Sequence, residues 1–130
     1  MRIIAGNSNL PLSNSVSDYL GETLTNASIQ RFADDEVYVE IKENIRGEDV
    51  FVIESLSHPA NDNLMELLVI MDALKRASAK RITAVLPFYP YSRQDKKALP
   101  REPISARLVA DLFIAAGADR IVSIDLHTQQ

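Results

Sequence analysis

Val50-Phe51-Val52-Ile53, set between Asp49 and Glu54, is an unbroken run of β-branched and aromatic residues. A strand with one wet face alternates apolar and polar positions, whereas a continuous run is the pattern of a strand covered on both sides, as in parallel sheets layered by helices. The flanking segments supply those layers. Upstream, Asn44-Ile45-Arg46-Gly47-Glu48-Asp49 reads as a turn. Downstream, Ser57-His58-Pro59-Ala60-Asn61-Asp62-Asn63 reads as a loop rich in helix caps, and Asn63 with Glu66 has capping-box spacing. Leu64, Leu67, Leu68, Met71 and Leu74 then recur at helical spacing. Arg81-Ile82-Thr83-Ala84-Val85-Leu86 is the next strand, with Pro87 ending it.

The alternation of strand and helix continues to both ends of the chain. Ile3-Ile4-Ala5 is a short buried strand, Gly6-Asn7-Ser8-Asn9 a turn, and a helix runs from about Pro11 to Leu20 with Gly21 as its stop. Ile29-Gln30-Arg31-Phe32 and Val37-Tyr38-Val39-Glu40-Ile41 read as two strands joined by an acidic connection. Ile104, Leu108, Val109, Leu112, Phe113 and Ala116 form the stripe of a last helix before Gly117, and Ile121 to Leu126 is the last strand. The reading is an α/β fold, a largely parallel sheet flanked by helices. In such sheets the ligand crevice lies beyond the carboxyl ends of the strands. Here those ends are Gly6-Asn7-Ser8, Glu54-Ser55, the segment from Pro87 through Asp95, and Asp125-Leu126-His127.

Bulk properties narrow the function. The 130 residues suit one domain, and 14 Lys and Arg against 18 Asp and Glu leave a net charge of −4. That balance argues against a nucleic-acid partner, whose phosphates call for a clustered positive surface. With no cysteine, a disulfide framework and thiolate chemistry are excluded, which fits a reducing cytoplasm. The strongest apolar stretch, Leu67 to Met71, is far short of a membrane span, and the first residues lack the pattern of a signal peptide.

The segment from Phe88 to Pro103 is the longest without strand or helix period, and long loops in small domains commonly bind something. It carries Arg93, Lys96, Lys97 and Arg101 against Asp95 and Glu102, a local positive excess on an acidic chain. Guanidinium forks and ammonium groups match phosphate oxygens, so a polyphosphate is a natural guest; a solvated loop has the same composition. Asp125-Leu126-His127 projects an acid and an imidazole to one side of a strand end, a metal-ligand geometry, although a lone histidine is more often structural. Phe32-Ala33-Asp34-Asp35-Glu36 offers an aromatic face beside acceptor carboxylates, which suits adenine, while spacing alone favours an acidic hairpin tip. His58 reads as structural and Leu64 to Leu68 as core. Neither a Walker phosphate loop nor a dinucleotide glycine motif occurs.

Taken together and in order, Phe32-Ala33-Asp34-Asp35-Glu36, Arg46-Gly47-Glu48-Asp49-Val50, Asn61 to Leu68, Arg81 to Pro87, Tyr91-Ser92-Arg93-Gln94-Asp95-Lys96-Lys97, Pro103-Ile104-Ser105-Ala106, Ala116-Gly117-Ala118-Asp119 and Asp125-Leu126-His127 resemble the ribose-phosphate pyrophosphokinases, or phosphoribosyl pyrophosphate synthetases, along the whole chain. The resemblance implies a phosphoribosyltransferase-like N-terminal domain and an ATP-binding transferase of nucleotide biosynthesis. Its reaction passes pyrophosphate from Mg-ATP to the anomeric hydroxyl of ribose 5-phosphate, giving phosphoribosyl pyrophosphate and AMP. By resemblance, Phe32, Asp34 and Glu36 hold adenine across a subunit boundary, Arg93 and Gln94 contact ATP, and His127 ligates Mg2+. It further implies a cytoplasmic homo-oligomer, a hexamer built from dimers, with no membrane or nucleic-acid partner. Residues 1–130 correspond to the ATP-side domain; the ribose-5-phosphate site and the catalytic lysine segment of the family belong to a second domain outside this chain, so no catalytic residue is assigned in this half. Ala98-Leu99-Pro100 and Thr128 depart from the usual family pattern, which bears on regulatory phosphate or ADP binding near the loop. The other readings are a non-catalytic regulatory or associated subunit of the same family and a generic sugar- or nucleotide-binding module of α/β type.

Overall fold

The computed structural model describes residues 1–128. Its elements run β1 (Arg2–Ala5), α1 (Leu10–Leu20), β2 (Ala27–Arg31), β3 (Val37–Ile41), β4 (Asp49–Ile53), α2 (Ala60–Arg76), β5 (Arg81–Phe88), α3 (Ser105–Ala116) and β6 (Arg120–Asp125). Four of the strands make a wholly parallel sheet in the order β1-β4-β5-β6, in which Ile4, Val52, Ala84 and Ile121 stand side by side. The other two, β2 and β3, form a separate antiparallel hairpin pairing Ala27 with Ile41 and Arg31 with Val37. An isolated parallel bridge from Ile3 to Leu24 extends the sheet on the far side of β1. The chain therefore leaves β1 in one direction through α1 and continues from β4 in the other. With right-handed crossovers this puts α1 on one face and α2 and α3 together on the opposite face, where they touch each other.

The expected buried strands supply the core. Val50 and Val52 pack with Ile82, Ala84 and Leu86 of β5 and with the stripe Leu67, Ile70, Met71 and Leu74 of α2, all buried. Phe113 of α3 meets Tyr89 edge-on, with ring centroids 5.7 Å apart. The Tyr89 hydroxyl donates to the Ala106 carbonyl at 3.0 Å, which fastens the start of the long loop to α3. The hairpin lies against α2, with Ala27, Ile29, Val39 and Ile41 resting on the core.

Most element ends follow local signals. Asn9 caps α1 by accepting the Leu12 amide at 3.2 Å, and Gly21 and Gly117 close α1 and α3 at positive φ. Two of the ends that differ from expectation do so for a clear physical reason. The helix α2 begins at Ala60 after Pro59, with no side-chain cap, so Asn63 lies inside it and donates to the Ser57 carbonyl at 3.0 Å. In addition, β5 passes through Pro87 to Phe88, because β4 ends beside Val85 and β5 has only β6 for a neighbour there, where a missing N–H is tolerated.

Candidate functional site

The start of α2 with the residues just before it, the end of β5 and the loop that follows β5 line a cleft of about 650 Å3. Its walls include His58, Asn61 and Asp62 on one side and Tyr91, Arg93 and Gln94 on the other. Tyr91 donates its hydroxyl to Asn61 Oδ1, which ties the loop across to α2. Gln94 is fixed at both ends of the residue: its carbonyl accepts the Ala106 amide at 3.0 Å, and its Oε1 accepts the Ser105 hydroxyl at 2.6 Å. Arg93 makes no ion pair among the described residues, which leaves a guanidinium at the cleft for an anionic ligand. His58, read from sequence as structural, lines this cleft.

A smaller cleft of about 260 Å3 opens beside the end of β6. It is lined by His127 together with Tyr89, Asp95 and Arg107. The Thr128 hydroxyl donates to Asp95, and that bond, with a smaller contribution from His127, holds the Asp95 carboxyl below the usual carboxylate range. No group of three or more histidine or carboxylate side chains suited to a metal occurs among the described residues. The donor set at this cleft is one imidazole and one carboxylate. The sequence assigns Asp95 no role, because its place beside His127 arises from two segments more than thirty residues apart meeting at the sheet edge.

The acidic hairpin forms a third feature. Phe32 is 55% exposed, and its ring lies 5.7 Å from that of Tyr38. Backbone N–H groups close the tip: Phe32 N–H to the Glu36 carbonyl at 2.9 Å, Asp35 N–H to the Phe32 carbonyl at 3.0 Å, and Glu36 N–H to Asp34 Oδ1 at 3.2 Å. Asp34 and Glu36 are exposed and line a cleft of about 450 Å3 together with Arg31, Asp62 and Met65. Within one copy of the chain, then, the expected adenine residues do not share a cleft with Arg93 and Gln94. Asp62 borders both.

Glu54, read from sequence as a strand end at the expected crevice, and Glu66, read as a capping-box acid, are both buried at the carboxyl end of the sheet. A signal was present: Glu66 falls on the buried stripe of α2, among Asn63, Leu67 and Ile70, where an acid needs a partner.

The model for the N-terminal domain of ribose phosphate pyrophosphokinase matches residues 1–117. The chain belongs to the ribose-phosphate pyrophosphokinase family. Among curated relatives, the ribose-phosphate pyrophosphokinase of Agrobacterium fabrum is 59% identical over all 130 residues, and that of Caulobacter vibrioides is 61% identical. The chain spans 42% of the length of each. The crystal structure of phosphoribosylpyrophosphate synthetase from Mycobacterium smegmatis superposes with a TM-score of 0.97 at 55% identity, covering 99% of this chain and 43% of that one. The fold class and the family resemblance are both borne out. No helix among the described residues is long and apolar enough to cross a membrane.

Proposed function

We propose that this chain is the ATP-side domain of a ribose-phosphate diphosphokinase. The observation that carries the reading is Arg93, which has no ion-pair partner among the described residues, lining the cleft between the start of α2 and the loop after β5, in a chain matched by the family model over residues 1–117. Arg93 contacts the polyphosphate of ATP, and Gln94, immobilised by Ser105 and Ala106, keeps that part of the loop in place. Phe32 stacks on adenine while Asp34 and Glu36 accept from its exocyclic amine. Because Asp34 and Glu36 line a different cleft from Arg93, one ATP engages the hairpin of one copy and the loop of another, which makes the protein a homo-oligomer.

In the reaction the anomeric hydroxyl oxygen of ribose 5-phosphate attacks the β-phosphorus of ATP. The bond from that phosphorus to the α–β bridging oxygen breaks, AMP leaves, and the hydroxyl proton passes to solvent. Such transfers are governed by positioning and by neutralisation of charge on the phosphoryl oxygens, the work assigned to Arg93 and its neighbouring lysines. His127 and Asp95 are the side chains that would hold Mg2+. An imidazole and one carboxylate suit an ion that keeps water and substrate oxygens in its other positions. When bound, it supplies charge neutralisation at the phosphates. The ribose-5-phosphate site lies in the part of the family's length that this chain does not span. The exposed apolar side chains of β6, including Ile124 at 81% exposure, support its lying against further protein.

Calorimetric titration with Mg-ATP tests the assignment. Arg93→Ala should weaken binding at least about tenfold, the worth of one charge-assisted hydrogen bond. Unchanged affinity in that variant overturns the role of the loop.

A further inference from the structure

Four segments converge where the sheet changes direction. Immediately after β4, Glu54 is fully buried; its Oε1 accepts the Ser8 amide at 3.1 Å. From α2, Glu66 is 1% exposed; its Oε1 accepts the Asn7 amide at 2.7 Å and its Oε2 pairs with the Arg31 guanidinium at 3.2 Å. From β2, Arg31 sends its other terminal nitrogen to the Asp35 carbonyl at 3.4 Å, inside the hairpin tip. The loop after β1 closes the group: Asn7 Nδ2 donates to the Ile29 carbonyl at 3.1 Å, and Ser8 Oγ accepts the Ser55 amide at 2.8 Å. Gly6 makes room for the acid, since a Cβ there would fall 1.5 Å from Glu54 Oε2.

Charge does not balance if both acids ionise. Among the described residues Arg31 is the one cation in ion-pair distance of Glu66, and Glu54 has none. Among the described residues Glu54 Oε2 is buried with no hydrogen-bond donor to meet it, and the two acids stand side by side, taking the successive amides of Asn7 and Ser8. An oxygen so placed, facing a second carboxylate, is satisfied by carrying a proton and donating it.

We propose that Arg31 and Glu66 are positioning residues for the hairpin tip at Phe32, Asp34 and Glu36, and that Glu54 acts as the neutral hydrogen-bond donor that keeps Glu66 committed to Arg31. The proposal rests on the reading that this tip holds adenine. The groups facing Glu54 are the carboxylate of Glu66 on α2, the uncharged donors of Ser8 in the loop after β1, and, through Glu66, Arg31 on β2; its own amide is spent on the Val85 carbonyl of β5. Burial first, then the neighbouring Glu66 carboxylate, push the Glu54 carboxyl up to about 8 against the hydrogen bonds from Ser8. Above that pH the donor becomes a second buried anion. It repels Glu66, competes for Arg31, and loosens both the loop after β1 and the hairpin tip.

The test is hydrogen exchange at the Phe32 and Asp35 amides, corrected for intrinsic exchange, together with Mg-ATP affinity, from pH 6.5 to 9.5 in the assembled protein. Protection should fall about fivefold or more as Glu54 titrates in the parent, with ATP affinity falling in parallel, and both should stay level in Glu54→Gln, which keeps the donor at every pH. Level protection in the parent, or the same fall in Glu54→Gln, overturns the proposal. The adenine reading fails separately: if Phe32→Ala binds Mg-ATP like the parent while protection follows Glu54, the hairpin is positioned as proposed but does not hold the base.

Discussion

Burial beside Glu66 raises the Glu54 carboxyl, and an acid so raised makes stability depend on pH. An acid whose native pKa is raised keeps a proton that the unfolded chain has lost, so its contribution to stability is full below the ordinary value of 4.5 and is lost as pH rises to about 8. Parent protein should therefore melt at progressively lower temperature from pH 5 to pH 8 and level off above. Glu54→Gln removes the titration; near pH 5 it should melt close to the parent, and at pH 8 at least about 4 °C above it, as read by scanning calorimetry. Equal slopes for the two proteins would mean that Glu54 is not the group responsible. None of this was legible in the sequence. Glu54 follows four apolar residues and looks like the polar end of a strand, and the partners that bury it come from Ser8 and Glu66, far away along the chain.

At the scale of elements, the sequence was most readable where one periodicity acts alone. Val50 to Ile53 and Arg81 to Leu86 are the interior strands, and the Leu67, Met71 and Leu74 stripe is the buried face of α2. Leu67→Ala, at the centre of that face, should cost about 2–5 kcal/mol in urea unfolding, because the sheet on one side and α3 and the hairpin on others leave little room for collapse. A loss under about 1 kcal/mol would show that α2 is not packed as described. The start of α2 was misread for a physical reason. Asn63 and Glu66 have capping-box spacing, but both are drawn inward by partners outside the helix, Asn63 by the Ser57 carbonyl and Glu66 by Arg31 and Asn7. Local pattern carries no trace of a guanidinium thirty-five positions upstream. The candidate site was readable in the same partial way: Arg93, Gln94 and His127 stood out by motif, whereas Asp95, Asn61 and Tyr91 take their places through contacts between segments.

At the scale of the whole molecule, surface and length agree. The edge strand β6 has one neighbour in the sheet and exposes Ile121, Val122 and Ile124, and α3 exposes Leu108 and Ile114 beside it. Under the proposed function this exposed apolar surface lies against further protein, and the chain spans 42% of the length of the curated relatives it matches. The central claim is that these residues supply the ATP side of pyrophosphoryl transfer and leave the acceptor to another segment. The direct measurement is AMP release from Mg-ATP in the presence of ribose 5-phosphate, by the 130 residues alone and by the same residues joined to the remainder of the Mycobacterium smegmatis synthetase. The account predicts no AMP release from the first, release dependent on ribose 5-phosphate from the second, and a loss of about a hundredfold or more when Arg93→Ala is placed in the second. Turnover by the 130 residues alone, or a joined protein indifferent to Arg93→Ala, would contradict it.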